Sequence, residues 1–407
     1  MRKIVLTTWH RVAAWPLWRS YGTIAVLWLL MCLIVSITKV YNSDNNFMIF
    51  RGVWNHTVAQ LPLFDHYPAE YDDMNHYGPF FALVIAPFAM MSRPVGLFFW
   101  LVALSAFLYV SVRRSNLTRY QQLFVLWFCT HELLNALFMQ QYNIGIAAGV
   151  MFSYYFIEKE RDFWAAFFIM LGTFIKLYGI VGLAFFFFSR HKLRFVGALL
   201  FWAAVMFVAP MAVAPPEYVV QQYVEWYVAL VEKNADNINE LAGDMAALST
   251  NISLLGIVRR TTRILTYSDL WLIVPGLILF ALPYLRLSQY RYVAFRQAWL
   301  ASVLMFCVLF STGSENSTYI IAFVGVAVWY CCVPWQRSRW DVALMVLVFI
   351  ISSLSPGDLF PKAIYRGLIQ PYALKALPVS IVWFRLCYEM LTRDYAPVST
   401  PSTSLTT

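Results

Sequence analysis

Apolar residues in this chain come in long unbroken runs, not in the alternation or three-to-four spacing of a half-buried soluble element. The runs cover 21–40, 95–112, 121–139, 144–157, 195–213, 270–285, 298–312, 318–334, 341–354 and 371–391, with short polar or basic stretches between them. About twenty apolar residues cross a bilayer as an α-helix, and shorter runs suit a thin bilayer or a partly re-entrant path. The stretch 163–189 is too long for one span and short for two. Lys159 and Arg161 precede it, and Arg190, Lys192 and Arg194 follow it. Lys and Arg mark cytoplasmic loops, so both of its ends belong on one side. The segment is therefore expected to be a helical hairpin with its apex near Lys176. The pattern predicts an all-α polytopic membrane protein with about twelve transmembrane helices.

The same charge rule places Arg113, Arg114 and Arg119, then Arg286, Arg291 and Arg296, then Arg337, Arg339 and Arg393 on the cytoplasmic side with both termini. Arg2, Lys3, Arg11 and Arg19 precede the first run, which has no small-residue cleavage site and reads as an uncleaved helix. The run 80–91 contains Pro87 and is short for a crossing. Counting it as a span would move Arg113 outside, so it is expected to be a juxtamembrane or half-inserted helix on the outer face. One transmembrane domain over 1–395 results, with outer loops at 41–94 and 214–269. In the second loop Val220, Tyr223, Tyr227, Leu230 and Val231 fall at helical spacing, which predicts a helix along the membrane surface. The Ser/Thr-rich end 396–407 reads as a disordered cytoplasmic tail.

Composition strengthens the membrane reading. The chain is 61% hydrophobic and only 13% charged, against about 25% charged in soluble domains. Its net charge of +9 sits in short clusters between apolar runs, which is a pattern of membrane orientation and not of nucleic-acid binding. The six cysteines lie in apolar runs without zinc spacing and read as small buried side chains. There is no Walker loop, dinucleotide-type glycine motif or spaced Asp-x-Asp pair. That argues against a cytosolic nucleotide-dependent enzyme. Neither a cofactor nor a resident metal is expected, although the loop acids retain the chemistry to hold a cation.

The candidate chemistry concentrates in the first outer loop. It sets Asp44, Asp65, Glu70, Asp72 and Asp73 beside Arg51, His56, His66 and His76, with Trp54, Tyr67, Tyr71 and Tyr77 interleaved. A carboxylate partly desolvated by aromatics near a membrane is suited to general-base work. Aromatic faces stack on sugars, and carboxylates accept hydrogen bonds from hydroxyls. Tyr77-Gly78-Pro79 drives the chain back toward the membrane and pins the acids there. Lys176, in Phe-Ile-Lys-Leu-Tyr-Gly, is an intramembrane cation, for which a lipid-linked phosphate is a natural partner and helix anchoring the alternative. Gln140, Gln141, Tyr142 and Asn143 form a polar apex that either binds a substrate hydroxyl or satisfies helix ends. His131, Glu132 and Asn135 read as an interhelical hydrogen-bond cluster. Glu315 either starts a helix or faces a site, and Lys362 and Arg366 form a basic pair able to hold phosphate.

The order of these pieces resembles glycosyltransferase family 87, a membrane family of the GT-C kind that includes polyprenyl-phosphate-mannose-dependent mannosyltransferases. The resemblance rests on the acidic outer loop, Tyr77-Gly78-Pro79, Gln141-Tyr142-Asn143, Ile175-Lys176-Leu177-Tyr178-Gly179 and Phe310 to Tyr319, and covers roughly 42–383. It implies transfer of a hexose, commonly mannose, from a polyprenyl-phosphate sugar to a lipid or glycan hydroxyl on the extracytoplasmic face, with inversion. A bacterial inner membrane is the setting that the family implies. A loop aspartate would serve as base, in a pattern like Asp-Phe-x-x-Tyr. Here Asn46-Phe47-Met48-Ile49-Phe50 stands at that place, and Asn accepts no proton. Asp73, then Asp44, are the candidate bases. Lys176, Arg366 and Lys362 are the candidates for the donor phosphate. Asp72, Arg51, Tyr77, Gln141, Asn143 and Glu315 are the candidates for substrate binding. A transporter or flippase of lipid-linked sugars, and a polysaccharide ligase or polymerase, are the rival readings. A transporter favours ionisable residues near the midplane and internal repeats, whereas the ionisable clusters here sit in outer loops.

Overall fold

Helices dominate the described residues, and no β-strand forms among them. In hydrocarbon each segment must satisfy its own backbone, which a helix does and an open strand does not. The structure, a computed structural model, describes residues 16–239, 249–264 and 267–397. Arg2, Lys3, Arg11 and nearly all of the expected tail lie outside them. In chain order the helices are α1 (Tyr21–Asn42), α2 (Asn45–Ala59), α3 (Phe81–Ala89), α4 (Arg93–Arg114), α5 (Arg119–Phe138), α6 (Asn143–Glu158), α7 (Asp162–Lys176), α8 (Lys192–Val208), α9 (Pro216–Asn239), α10 (Leu254–Thr262), α11 (Leu270–Ala281), α12 (Val293–Leu309), α13 (Tyr319–Cys331), α14 (Arg339–Leu347) and α15 (Ala376–Thr392).

Among the described residues three stretches, Tyr21–Val40, Arg93–Arg114 and Lys192–Ala212, are long and apolar enough to cross a membrane. The other expected spans also fold as helices, but shorter or more polar ones. Length and composition therefore establish a multi-helix membrane protein and stop short of a count of about twelve. α6, α12 and α13 are buried on nearly every side and form the centre. α1, α8 and α11 expose Leu30, Ile34, Leu200, Phe201, Leu277 and Ile278, the apolar outer faces that lipid contact requires.

The stretch 163–189 reverses at Leu177, which takes a left-handed conformation at φ 55°. α7 ends there, and a 3₁₀ segment, Tyr178–Phe188, runs back alongside it. Glycine permits the contact: a Cβ on Gly179 would stand 2.5 Å from the carbonyl carbon of Gly172. Arg190 meets Glu160 at 2.8 Å across the open end. The end of the bundle marked by basic residues carries further ion pairs, Arg296–Glu158 at 2.6 Å and Arg337–Glu389 at 2.8 Å.

α3 spans nine residues around Pro87, too few to cross a bilayer. α9 departs from its expected stripe. Val219, Gln222, Trp226, Ala229 and Asn237 are buried positions on it, while Val220, Tyr227 and Val231 face outward. The packed side is held by polar anchors that hydropathy does not flag: Leu63 N donates to Gln222 Oε1 at 2.7 Å, and Trp226 Nε1 donates to the His76 carbonyl at 3.0 Å. The valines form a second apolar face on the same helix.

Candidate functional site

The return of the first outer loop into the bundle builds one wall of a cavity. Asn75 folds over the next two residues, accepting from Tyr77 N at 2.9 Å and donating to the Tyr77 carbonyl at 3.0 Å. Gly78 N then donates to the Ile175 carbonyl at 3.0 Å, tying the loop to the last turn of α7. Only glycine fits at that step, because a Cβ on Gly78 would collide with the Phe174 carbonyl oxygen. Tyr77 is buried, and its hydroxyl oxygen accepts from Tyr142 N at 3.1 Å. Asp73 and His76 flank this turn and line the cavity.

The opposite wall comes from helix ends. At the apex between α5 and α6, Gln140 adopts φ 57° and accepts from Phe47 N at 3.0 Å, so it is a structural turn residue. Gln141 and Asn143 point the other way. Lys176 Nζ donates to Gln141 Oε1 at 3.1 Å and to Asn143 Oδ1 at 2.9 Å. Gln141 Nε2 donates to Glu315 Oε2 at 2.9 Å, and Asn143 Nδ2 to Ser317 Oγ at 2.9 Å. Glu315 also caps the 3₁₀ turn Asn316–Thr318, the helix-start position that the sequence offered. The Lys176 ammonium stands 5.5 Å from the Tyr77 ring centroid and 5.6 Å from that of Tyr178, within cation–π reach. Among the described residues no carboxylate lies within ion-pair distance of it.

Together these groups enclose a cavity of about 270 Å³ at the α5–α6 apex, one α5 length from Arg119. Asn46, Ile49 and Phe50 of α2 line it beside Asp73, Tyr77, Gln141, Lys176 and Glu315. Asn46 and Asp73 thus share one chamber, the first at the place where the resemblance expects an aspartate. α9 closes a further side with Leu230, Lys233, Asn234 and Asn237. Burial, then the charge of Lys233 and, after the opposing Asp73, that of Lys176, hold the His76 imidazole at about 4, below its ordinary value. His76 is therefore neutral at pH 7.

Several candidates lie elsewhere. Asp44 is buried at the start of α2, and the Arg93 guanidinium grips both of its oxygens, with Nε donating to Oδ2 at 2.6 Å. Arg51 donates to the Met91 carbonyl at 2.9 Å. Glu70 faces His56 at 3.2 Å. Asp72 is exposed, with its backbone N–H on Asn45 Oδ1 at 2.8 Å. Lys362 pairs with exposed Asp358 at 2.8 Å, and Arg366 is exposed. None of Asp44, Arg51, Asp72, Lys362 and Arg366 lines the cavity. Asn143 stands just behind its wall and reaches it through Lys176 and Gln141. Sequence named His76 among the loop histidines and Leu230 on a surface stripe but assigned neither to a site, and it did not single out Lys233, Asn234 or Asn237. The signal available was the spacing of Trp226, Leu230, Lys233 and Asn237 along one helix face. Lys375 was also missed: it is buried, pairs with Glu132 at 2.9 Å and donates to the Asn316 carbonyl at 3.0 Å. His131 and Asn135 join this cluster through Ser353. Among the described residues no group of three or more His, Cys, Asp or Glu side chains comes together.

The sequence profile described as Glycosyltransferase family 87 matches residues 75–312. The match takes in His76, the Tyr77-Gly78-Pro79 step, the Gln141–Asn143 apex, the Lys176 hairpin and all of α9. The chain belongs to glycosyltransferase family 87. This family 87 protein is accordingly a membrane glycosyltransferase, which moves a sugar from a donor to an acceptor substrate. No curated protein matches the chain. The matched segment begins two residues after Asp73 and ends three before Glu315, so both cavity carboxylates flank it.

Proposed function

We propose that this family 87 protein transfers a hexose, mannose by the family resemblance, from a polyprenyl-phosphate carrier to a hydroxyl of a lipid or glycan, with inversion at the anomeric carbon. The observation that carries the proposal is the position of Lys176. Its ammonium borders the cavity on neutral amide partners, so its charge is available to an anionic ligand. A phosphate beside it would gain a charge-assisted hydrogen bond.

Asp73 shares the cavity with Lys176 and supplies the base. Its carboxylate takes the proton of the acceptor hydroxyl, and the freed oxygen attacks the anomeric carbon. The bond from that carbon to the phosphate oxygen breaks, and polyprenyl phosphate leaves with one more negative charge. Lys176 stabilises that developing charge from a fixed position, which needs no reorganisation during the reaction. Gln141 holds the lysine in place and keeps Glu315 from neutralising it directly. Asp44 is the less suitable base, because Arg93 already occupies both of its oxygens.

The site is assigned to the extracytoplasmic face. α5 carries Arg119 at one end and reaches the cavity at the other, and Lys and Arg mark the cytoplasmic side. Cysteines introduced at Asn55 and Arg114 should then label from outside and inside respectively. The deciding experiment incubates purified protein in lipid nanodiscs with polyprenyl-phosphate mannose and a lipid or glycan acceptor, and follows transfer of the sugar. Movement of the intact lipid-linked sugar between leaflets, with no transfer, would favour the transporter reading instead.

A further inference from the structure

His76 and Asn237 come from distant parts of the chain and line the same cavity. Both ring nitrogens of His76 and the Oδ1 of Asn237 are buried, and none of the three has a hydrogen-bond partner among the described residues. Buried polar atoms are bonded in the great majority of cases, so each such exception calls for a missing partner. Asn237 is only 3% exposed. The neighbouring polar groups are already engaged: Asn234 Oδ1 accepts from Thr312 at 2.6 Å, and the Tyr178 hydroxyl bonds Ser311 at 2.9 Å. The His76 backbone is fixed on both sides, by the Asn75 turn and by the Trp226 indole. Its ring is thus held against the cavity with its bonding capacity unspent.

We infer that His76 and Asn237 form the subsite that receives the hydroxyls of the transferred sugar and so help to select which sugar the enzyme takes. The chemistry of the unpartnered atoms makes the choice. A neutral imidazole offers one donor and one acceptor, and the amide oxygen offers a second acceptor. Ionised phosphate oxygens only accept, so they can take the imidazole N–H but leave both acceptors unmet. A hydroxyl both donates and accepts, and adjacent hydroxyls on one ring satisfy all three atoms. In this arrangement the phosphate takes the Lys176 ammonium, and the sugar hydroxyls take the neutral atoms of His76 and Asn237. The charge environment maintains the arrangement: burial, Lys233 and Lys176 oppose protonation of His76, while Asp73 and Asp236 favour it without prevailing. Polar sites built to bond a hydroxyl reject analogues that lack it far more strongly than apolar pockets discriminate by size.

This inference rests on the proposed glycosyl transfer, and its test separates the two. Full-length protein in nanodiscs is titrated with polyprenyl-phosphate mannose and, separately, with sugar-free polyprenyl phosphate. His76→Phe and Asn237→Leu are expected to weaken binding of the mannosyl carrier by about tenfold or more, the scale of a lost buried hydrogen bond, while leaving the sugar-free carrier bound as in wild type. His76→Gln, which retains a donor and an acceptor, should recover part of that loss. Equal loss for both carriers, or no loss for either, overturns the subsite even where wild type transfers sugar. If His76→Phe does not fold, His76→Gln and Asn237→Leu carry the same comparison. A wild-type protein that moves no sugar from any polyprenyl-phosphate donor overturns the proposed function and the subsite with it.

Discussion

Lys176 and Glu315 meet only through Gln141, whose amide accepts from the lysine at 3.1 Å and donates to the carboxylate at 2.9 Å. Lys375 and Glu132, by contrast, touch directly at 2.9 Å. Lys375 is buried and Lys176 half-buried in one bundle, and the first is neutralised inside the protein while the second presents its charge to a cavity. That difference separates a structural cation from the one proposed to hold the donor phosphate and leads to opposite expectations for the two.

Removing the Lys176 charge should damage function and spare the fold. Lys176→Met is expected to weaken binding of the polyprenyl-phosphate donor tenfold or more, because a hydrogen bond to a charged group contributes about 1.5–3 kcal/mol, and to lower turnover as well. Lys362→Ala and Arg366→Ala, whose side chains lie outside the cavity, should leave both within about twofold of wild type, inside the scatter of surface changes. Donor titration and initial rates on the three variants provide the check. Loss in Arg366→Ala comparable to that in Lys176→Met would relocate the phosphate.

Removing the structural cation should do the reverse. Lys375→Met leaves the Glu132 carboxylate buried without its partner, a change that typically costs about 3–5 kcal/mol. Lys375→Met combined with Glu132→Gln removes both charges and should regain much of that loss. Thermal unfolding of the single and double variants in detergent measures it. A double variant no more stable than the single one would show that the pair is not the unit that matters.

Asp73→Asn is expected to lower turnover by about 10²–10⁴-fold, the usual range for loss of a general base, with donor binding unchanged. Asp44→Asn should instead act on stability, through the loss of its Arg93 partner. Single-turnover transfer together with donor titration distinguishes the two. Full activity in Asp73→Asn with none in Asp44→Asn would reverse the assignment.

The acid limb of stability follows from His76. Its folded value of about 4 lies below the ordinary 6.5, so between these values the unfolded chain binds the extra proton. Stability from this group is fully present above about pH 6.5 and is lost as pH falls toward 4, by up to ~3 kcal/mol. Wild type should therefore lose more thermal stability than His76→Phe on going from pH 7 to 4.5. Parallel pH profiles for the two proteins would count against a buried neutral imidazole.

Sequence alone went furthest where a residue defied its surroundings. A lysine in an apolar hairpin and a Tyr-Gly-Pro step at a membrane edge are conspicuous, and Lys176 and Tyr77 do line the cavity. Lys375 was less conspicuous because it stands at the start of an apolar run, where a cation reads as a helix-end residue. The acids of the first loop were indistinguishable by composition. Partner choice separated them, with Arg93 taking Asp44 and His56 taking Glu70, and such partners are set by tertiary contacts. α9 misled for a related reason. Its valines make the stronger hydropathy stripe, while Gln222 and Trp226 make the packed face.

The bond from Gly78 to Ile175 gives the site a fixed gauge. The strand of loop that bears Asp73 and the hairpin that bears Lys176 are riveted together by their main chains within a few residues of each group. The span between the proposed proton acceptor and the proposed phosphate anchor is thereby set by covalent geometry and one short clasp, with little left to side-chain adjustment. A caliper locked in this way measures its workpiece: a donor whose reacting carbon sits at a different reach from its phosphate can be held at one jaw or the other, but not at both.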